Sequence, residues 1–191
     1  MGPVARAYGA LVAAGELKPD PHQKRAVAAL DRLAAELADG RPGLIERLLG
    51  RPAKHACGVY LWGGVGRGKS MLMDLAFDHI PAKPRRRVHF HAFMLDVHQR
   101  LKKVRAREEG DPIAKVAHAI AAEARLLCFD EMQVTNTADA MILSRLFAAL
   151  LDEGVAVVTT SNRPPRDLYK DGLNRELFLP FIDLIEAKME V

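Results

Sequence analysis

Residues 63–70, Gly63-Gly64-Val65-Gly66-Arg67-Gly68-Lys69-Ser70, hold the most specific chemistry in the chain. They spell GxxxxGK(S/T) directly after the apolar run Gly58-Val59-Tyr60-Leu61-Trp62 and directly before a helical stretch, Met71 to Phe77. A polyphosphate needs this arrangement: glycines let backbone amides converge on the anion, a helix N-terminus adds its dipole, Lys69 neutralises terminal phosphate oxygens and the Ser70 hydroxyl ligates Mg²⁺. A glycine turn that matches by chance would lack the strand before it and the helix after it. Asp130-Glu131 closes another apolar run, Leu126-Leu127-Cys128-Phe129. Two acids there could simply cap a helix. Beside a phosphate loop they acquire distinct roles, Asp130 holding Mg²⁺ through water and Glu131 orienting and deprotonating the attacking water. Asn162 follows a fourth apolar run, Val155 to Thr160, and its amide can reach a γ-phosphate; the competing reading is a turn residue ahead of Pro164-Pro165.

Other groups carry weaker signals. His89 and His91 fall two apart in the segment Val88-His89-Phe90-His91, read as a strand, which puts them on one face at a metal-ligand spacing. No third ligand follows from the pattern, so packing histidines are expected. Cys57 and Cys128 sit in apolar runs and are expected as buried free thiols; two cysteines make no disulfide framework.

The elements that must position these groups follow from periodicity. Residues 1–56 read as an alanine-rich helical segment. Asp20-Pro21-His22-Gln23 is a helix start in which Asp20 caps, Pro21 takes the first turn and Gln23 reaches back to the Asp20 amide. Val27, Leu30, Leu33, Ala34 and Leu37 then form an apolar stripe ending near Gly40, and Leu44 to Leu49 adds a short helix before Gly50-Arg51-Pro52. From Cys57 onward, strands alternate with helices at about Phe93 to Arg107, Ile113 to Ala124 and Ala138 to Leu151. Strands that are apolar without alternation, each separated by a helix, predict an α/β fold: a parallel sheet covered on both faces.

Composition bounds the functional classes. At 191 residues, 49% hydrophobic and 27% charged, the chain has the make-up of one ordinary globular domain rather than a disordered or fibrous one. No apolar run reaches the roughly 18 residues of a membrane span and the start lacks the order of a secretory signal, so a cytoplasmic protein is expected. The net charge of +4 is unevenly spread: Lys83 to Arg107 carries nine Lys or Arg residues against the single acid Asp96. Such a block attracts nucleic acid, anionic lipid or an acidic protein surface, or it is a solvated helix face.

With these motifs in view, the chain resembles the AAA+ superfamily of P-loop NTPases. Within it, the segments HFHAFMLDVHQRL (His89 to Leu101), LLCFDEMQVTNTADAMIL (Leu126 to Leu143) and TTSNRPPRDLYKDGLNRELFLPFI (Thr159 to Ile182) are similar to the ZapE cell-division ATPase family and its mitochondrial AFG-type relatives. The resemblance implies Mg²⁺-dependent ATP hydrolysis coupled to remodelling of a protein partner, the tubulin-like division-ring protein FtsZ, in the cytoplasm at the division site. A helicase loader acting on nucleic acid shares every nucleotide motif and stands as the alternative. Residue by residue, it implies that Lys69 and Ser70 serve the phosphates, Asp130 and Glu131 form the Walker B pair, and Asn162 is the sensor. Arg175 would reach a neighbouring subunit's γ-phosphate in a homo-oligomer, with Arg163 and Arg166 as competitors. Gln23 would lie near the adenine unless its capping role accounts for it. Met132 stands where the family often has Phe. Members of the family continue past Met189-Glu190-Val191, so the core at 57–191 is expected without its fifth strand and helical lid, leaving Val59 to Trp62 as an open sheet edge.

Overall fold

The computed structural model describes residues 1–38, 58–107 and 110–191. The expected helix at Leu44 to Leu49, the break at Gly50-Arg51-Pro52 and Cys57 lie outside the described residues.

Five parallel strands build the centre: β1 (Gly58–Trp62), β2 (Arg85–His89), β3 (Leu126–Asp130), β4 (Ala156–Ser161) and β5 (Met189–Glu190), in the order β2-β3-β4-β1-β5. Helices α1 (Pro3–Ala13), α2 (Pro21–Ala38), α3 (Lys69–His79), α4 (Phe90–Arg107), α5 (Pro112–Glu123), α6 (Thr137–Asp152) and α7 (Leu179–Lys188) cover the two faces. Period-two alternation explains why the strands read as continuously apolar. Tyr60, Leu127, Phe129 and Val157 point into a core with α4, α5, α6 and α7. Their neighbours Val59, Leu61, Leu126, Cys128, Ala156 and Val158 point into a second core with α1, α2 and α3. Both sides of each strand are buried, so both must be apolar.

The first core is aromatic. Phe129 lies 4.6 Å from Phe93 and 5.6 Å from Phe147, and Phe147 meets Phe181 edge-on at 5.0 Å, each pair adding about 0.5–1.5 kcal/mol beyond area burial. This cluster sits directly under the strand end that carries Asp130. In the second core the N-terminal helices are part of the same packed layer as the phosphate-loop helix. Asp31 of α2 accepts from the Val4 amide at 2.8 Å and from the Ala5 amide at 3.2 Å, capping α1 across the helix pair.

Two expectations are corrected here. The fifth strand is present: Met189 and Glu190 pair with Gly58 and Val59, so the β1 edge is covered at its first residues. The second strand starts at Arg85 rather than Val88 and is Arg-Arg-Arg-Val-His, with no apolar run. It is tolerated because, among the described residues, β2 is an edge strand paired only with β3, where charged side chains can bend to solvent or to acids.

Candidate active site

The site lies where β1, β3 and β4 end. Parallel pairing puts Trp62 opposite Ser161, and the Gly63 amide donates to the Ser161 carbonyl at 3.2 Å, so the glycine loop leaves the sheet beside β4. Gly66 (φ 76°) and Gly68 (φ 80°) take left-handed conformations that other residues adopt only with strain, and Gly68 is the N-cap of α3. Lys69 begins α3 and folds back over the loop. Its ammonium donates to the carbonyls of Gly63 at 2.7 Å and Gly64 at 2.8 Å and to Asn162 Oδ1 at 3.0 Å. Burial lowers the Lys69 pKa from its ordinary value, opposed by the nearby charges of Asp130 and Glu131.

Asp130 is 7% exposed and fully engaged. Ser70 Oγ donates to its Oδ1 at 3.3 Å, Thr160 Oγ1 donates to the same oxygen at 2.9 Å, and Arg87 donates to Oδ2 at 2.8 Å. Burial pushes the carboxyl up, but these donors, Arg87 foremost, outweigh it and hold the group below its usual range. Asp130 is therefore an anion at neutral pH. The Ser70 hydroxyl and an ionised carboxylate converging at this distance are the hard oxygen donors that suit Mg²⁺.

Glu131 sits one residue further on, in a left-handed turn (φ 55°) that turns it away from the strand into the open. Its amide donates to Thr160 Oγ1 at 3.0 Å, the Met132 amide donates to the Thr160 carbonyl at 2.7 Å, and Ser161 Oγ donates to the Met132 carbonyl at 2.9 Å. These three hydrogen bonds stitch the acid pair to the end of β4, while Met132 itself is buried in the aromatic core. The strained turn is held by this lattice, a cost of about 1–3 kcal/mol borne by its neighbours.

The structure brings together Gly63 to Ser70, Asp130, Glu131 and Asn162 as expected from the motifs. Arg175 is not with them. It lies in a short 3₁₀ turn after β4, donating to the Arg166 carbonyl at 2.7 Å, and its Nε is buried without a partner among the described residues. Of its competitors, Arg166 is committed to Glu186, with Nε donating at 2.8 Å, and to Asp183 at 3.5 Å. Arg163 is exposed and shares with Glu131, Asn162 and Tyr169 the lining of a cavity of about 590 Å³. A second cavity of about 830 Å³ runs between α2 and the phosphate loop, lined by Gln23, Trp62, Gly63, Lys69 and Glu190.

Gln23 does not cap its helix. Tyr8 Oη takes the Asp20 amide instead, at 3.4 Å, and the Gln23 amide donates to the Arg67 carbonyl of the phosphate loop at 3.1 Å. Asp20 does cap, accepting from the His22 amide at 2.7 Å. His89 ends β2 while His91 lies within α4, so they share no strand face, and both are exposed rather than packed. No group of three metal-binding side chains occurs among the described residues. Cys128 is buried and free, its thiol pushed up to about 12 chiefly by burial.

Two residues of the site were missed from sequence. In the sequence Thr160 reads only as the end of an apolar run. Arg87 reads as part of the basic block; the β2–β3 register pairs it with Cys128, on the same face as Asp130 two residues on, within reach of that carboxylate. The block as a whole divides. Arg86 and Arg100 pair with Asp96 at 3.0 and 2.9 Å, Arg100 also reaches Glu123 at 2.6 Å, and Arg87 pairs with Asp74 as well as Asp130. Lys102, Lys103, Arg105 and Arg107, at the end of α4, are exposed.

Comparison with known proteins bears on the family and the fold. The family model described as AFG1-like ATPase matches residues 1–191. The cell division protein ZapE of Escherichia coli is 42% identical over 190 residues, covering 93% of this chain and 50% of that protein. Lactation elevated protein 1 homolog B of Danio rerio is 51% identical over 138 residues, 68% of this chain and 27% of that one. The chain thus spans half or less of the length of these relatives. Among solved structures, DnaI superposes with TM-score 0.60 at 15% identity over 93% of this chain and 87% of that chain. Domain III of Thermotoga maritima DnaA does so with TM-score 0.57 at 21% identity over 86% and 61%. These likenesses, both under 25% identity, show the fold alone. A complete phosphate loop, an acid pair stitched to β4 and a family match along the whole sequence place this chain in the AFG1-like ATPase family.

Proposed function

We propose that this chain is the ATP-hydrolysing core of a protein that remodels a partner during cell division. The observation that carries the chemistry is the convergence of Lys69, Ser70, Asp130 and Asn162 on one side of the glycine loop, with Glu131 exposed beside them. Lys69 and the loop amides hold the phosphates, and the lysine exchanges its loop carbonyls for phosphate oxygens as these enter. Ser70 and Asp130 would hold Mg²⁺, which supplies charge neutralisation across the β- and γ-phosphates when bound. Asn162 and Glu131 flank the position of an attacking water, and the Glu131 carboxylate, which has no hydrogen-bonding partner among the described residues, takes its proton. The division role is supported by the identity to the cell division protein ZapE, while FtsZ as partner and recruitment to the division site in the cytoplasm are what the family resemblance implies. No helix among the described residues is long and apolar enough to cross a membrane.

A test separates binding from turnover. Lys69→Ala should abolish nucleotide binding because the lysine contacts phosphate in the ground state. Glu131→Gln should bind normally and fail to hydrolyse. Normal hydrolysis by Glu131→Gln would remove it as the base.

The exposed cations Lys102, Lys103, Arg105 and Arg107 favour a second reading, a nucleic-acid-binding ATPase of the helicase-loader kind. Single-strand affinity falling steeply with salt would support it, whereas co-sedimentation with FtsZ polymer in ATP supports the remodeller.

A further inference from the structure

We infer that Gln23, oriented by Tyr8, is a positioning residue of the phosphate loop, so that the N-terminal helix pair sets nucleotide affinity. The inference rests on the nucleotide-binding reading of that loop. Tyr8 Oη donates to Gln23 Oε1 at 3.1 Å, and this leaves the other end of the amide, Nε2, to donate to the Arg67 carbonyl at 3.1 Å. Tyr8 is 4% exposed within the α1–α2–α3 core, so its hydroxyl is a fixed point. Asp31 fixes α1 in turn through the Val4 and Ala5 amides. The Gln23 side chain lies tight against the loop: a Cβ added to Gly68 would stand 2.8 Å from Nε2.

The consequence follows from peptide geometry. In a planar trans peptide the C=O of one residue and the N–H of the next point in opposite directions. Holding the Arg67 oxygen outward toward α2 therefore aims the Gly68 N–H the other way, into the hollow over which Lys69 folds. That amide belongs to a left-handed glycine at the head of α3, a peptide with several accessible orientations unless something fixes one. Gln23 supplies the fixed point before phosphate arrives, and a cradle already in place does not lose affinity to ordering. Neither the helix-capping role nor contact with a base explains why the amide spans from Tyr8 to a loop carbonyl.

Gln23→Glu is the discriminating variant, since it keeps the shape and replaces the donor by an acceptor facing the Arg67 oxygen. Calorimetric titration of the full 191-residue chain with Mg·ATP at pH 8 should show affinity about tenfold or more below the unaltered chain, and Tyr8→Phe about threefold below. The nucleotide-free thermal midpoint of Gln23→Glu should change little, because Glu keeps the oxygen that accepts from Tyr8 and the altered contact with the Arg67 carbonyl is the exposed one. Lowering the pH from 8 to 5 should narrow the Gln23→Glu deficit, as the introduced carboxyl begins to protonate and can again donate. Unaltered affinity in Gln23→Glu, with Lys69→Ala still abolishing binding, overturns the inference and leaves the nucleotide site standing. A deficit matched by a lowered thermal midpoint and indifferent to pH also overturns it, in favour of a merely structural role. Unaltered binding in Lys69→Ala would instead overturn the nucleotide reading, and this inference with it.

Discussion

Thr160 makes two hydrogen bonds that no sequence motif announces, donating to Asp130 Oδ1 and accepting from the Glu131 amide. Thr160 is 1% exposed and Asp130 7%, so little water reaches the carboxylate oxygen when the hydroxyl is removed. Thr160→Val keeps the volume and β-branching, so its effect isolates those two bonds. We expect a loss of about 1–3 kcal/mol of stability by urea unfolding. Turnover should fall more than nucleotide affinity does, because the left-handed Glu131 turn loses its anchor while Lys69 and the glycine loop are untouched. Thr160→Ser should recover most of both. Full stability and turnover in Thr160→Val, with a loss confined to Thr160→Ser, would instead assign the effect to the methyl group and its packing.

At the scale of elements, β2 is the informative case. Its sequence, Arg85-Arg86-Arg87-Val88-His89, looks like part of a surface block, yet each arginine is assigned by the fold to a different neighbour. Arg85 stacks over Phe77, its guanidinium carbon 4.7 Å from the ring centroid, Arg86 meets Asp96, and Arg87 spans Asp74 and Asp130. The strand thereby carries a cation to Asp130, the first of the two adjacent acids. Asp130 has a folded-state pKa below its ordinary value, so its contribution to stability is present above about pH 4 and is lost as pH falls through the folded value. In Arg87→Met, burial acts on the carboxyl with less opposition and its pKa rises. The stability gap between unaltered chain and Arg87→Met should thus be constant from about pH 6 to 8 and close as pH drops below about 4. Chemical unfolding across that range measures it, and a gap independent of pH would show that Arg87 acts through packing alone.

For the whole molecule, the arrangement of arginines is a statement about assembly. Arg175 sits in the turn before α7, anchored to the Arg166 carbonyl and apart from the phosphate loop of its own chain. A role in hydrolysis for Arg175, as the family resemblance implies, therefore requires a second copy. Its replacement by Ala should lower turnover by about 10³-fold with little change in nucleotide affinity, as for a group that meets charge only in the transition state. Mixing Arg175→Ala with Lys69→Ala subunits of the full-length protein should restore part of the activity, since each supplies what the other lacks. Absence of rescue in a demonstrated mixed oligomer would turn attention to Arg163, which is exposed beside Glu131 and Asn162 in the same chain.

What the sequence determined by itself is local. The phosphate loop was legible because its glycines, lysine and serine are contiguous and flanked by a strand and a helix, so no long-range contact is needed to name them. The acid pair and Asn162 were legible because a strand of a parallel sheet delivers its C-terminal residue to one edge whatever its neighbours are. The covered parallel sheet followed from strands apolar on both sides. Tertiary structure decided the rest. Strand order and register placed Arg87 against Asp130 and Thr160 under both acids, contacts 43 and 30 residues apart along the chain that periodicity cannot encode. It moved Gln23 from a helix cap to the Arg67 carbonyl, 44 residues away, because Tyr8 of α1 had already taken the Asp20 amide. It gave β2 an edge position where arginines are tolerated, and made a strand of Met189–Glu190. A motif is written where its atoms are adjacent in sequence; a hydrogen bond across the sheet exists only once the chain has closed, and its partners are ordinary polar residues until then.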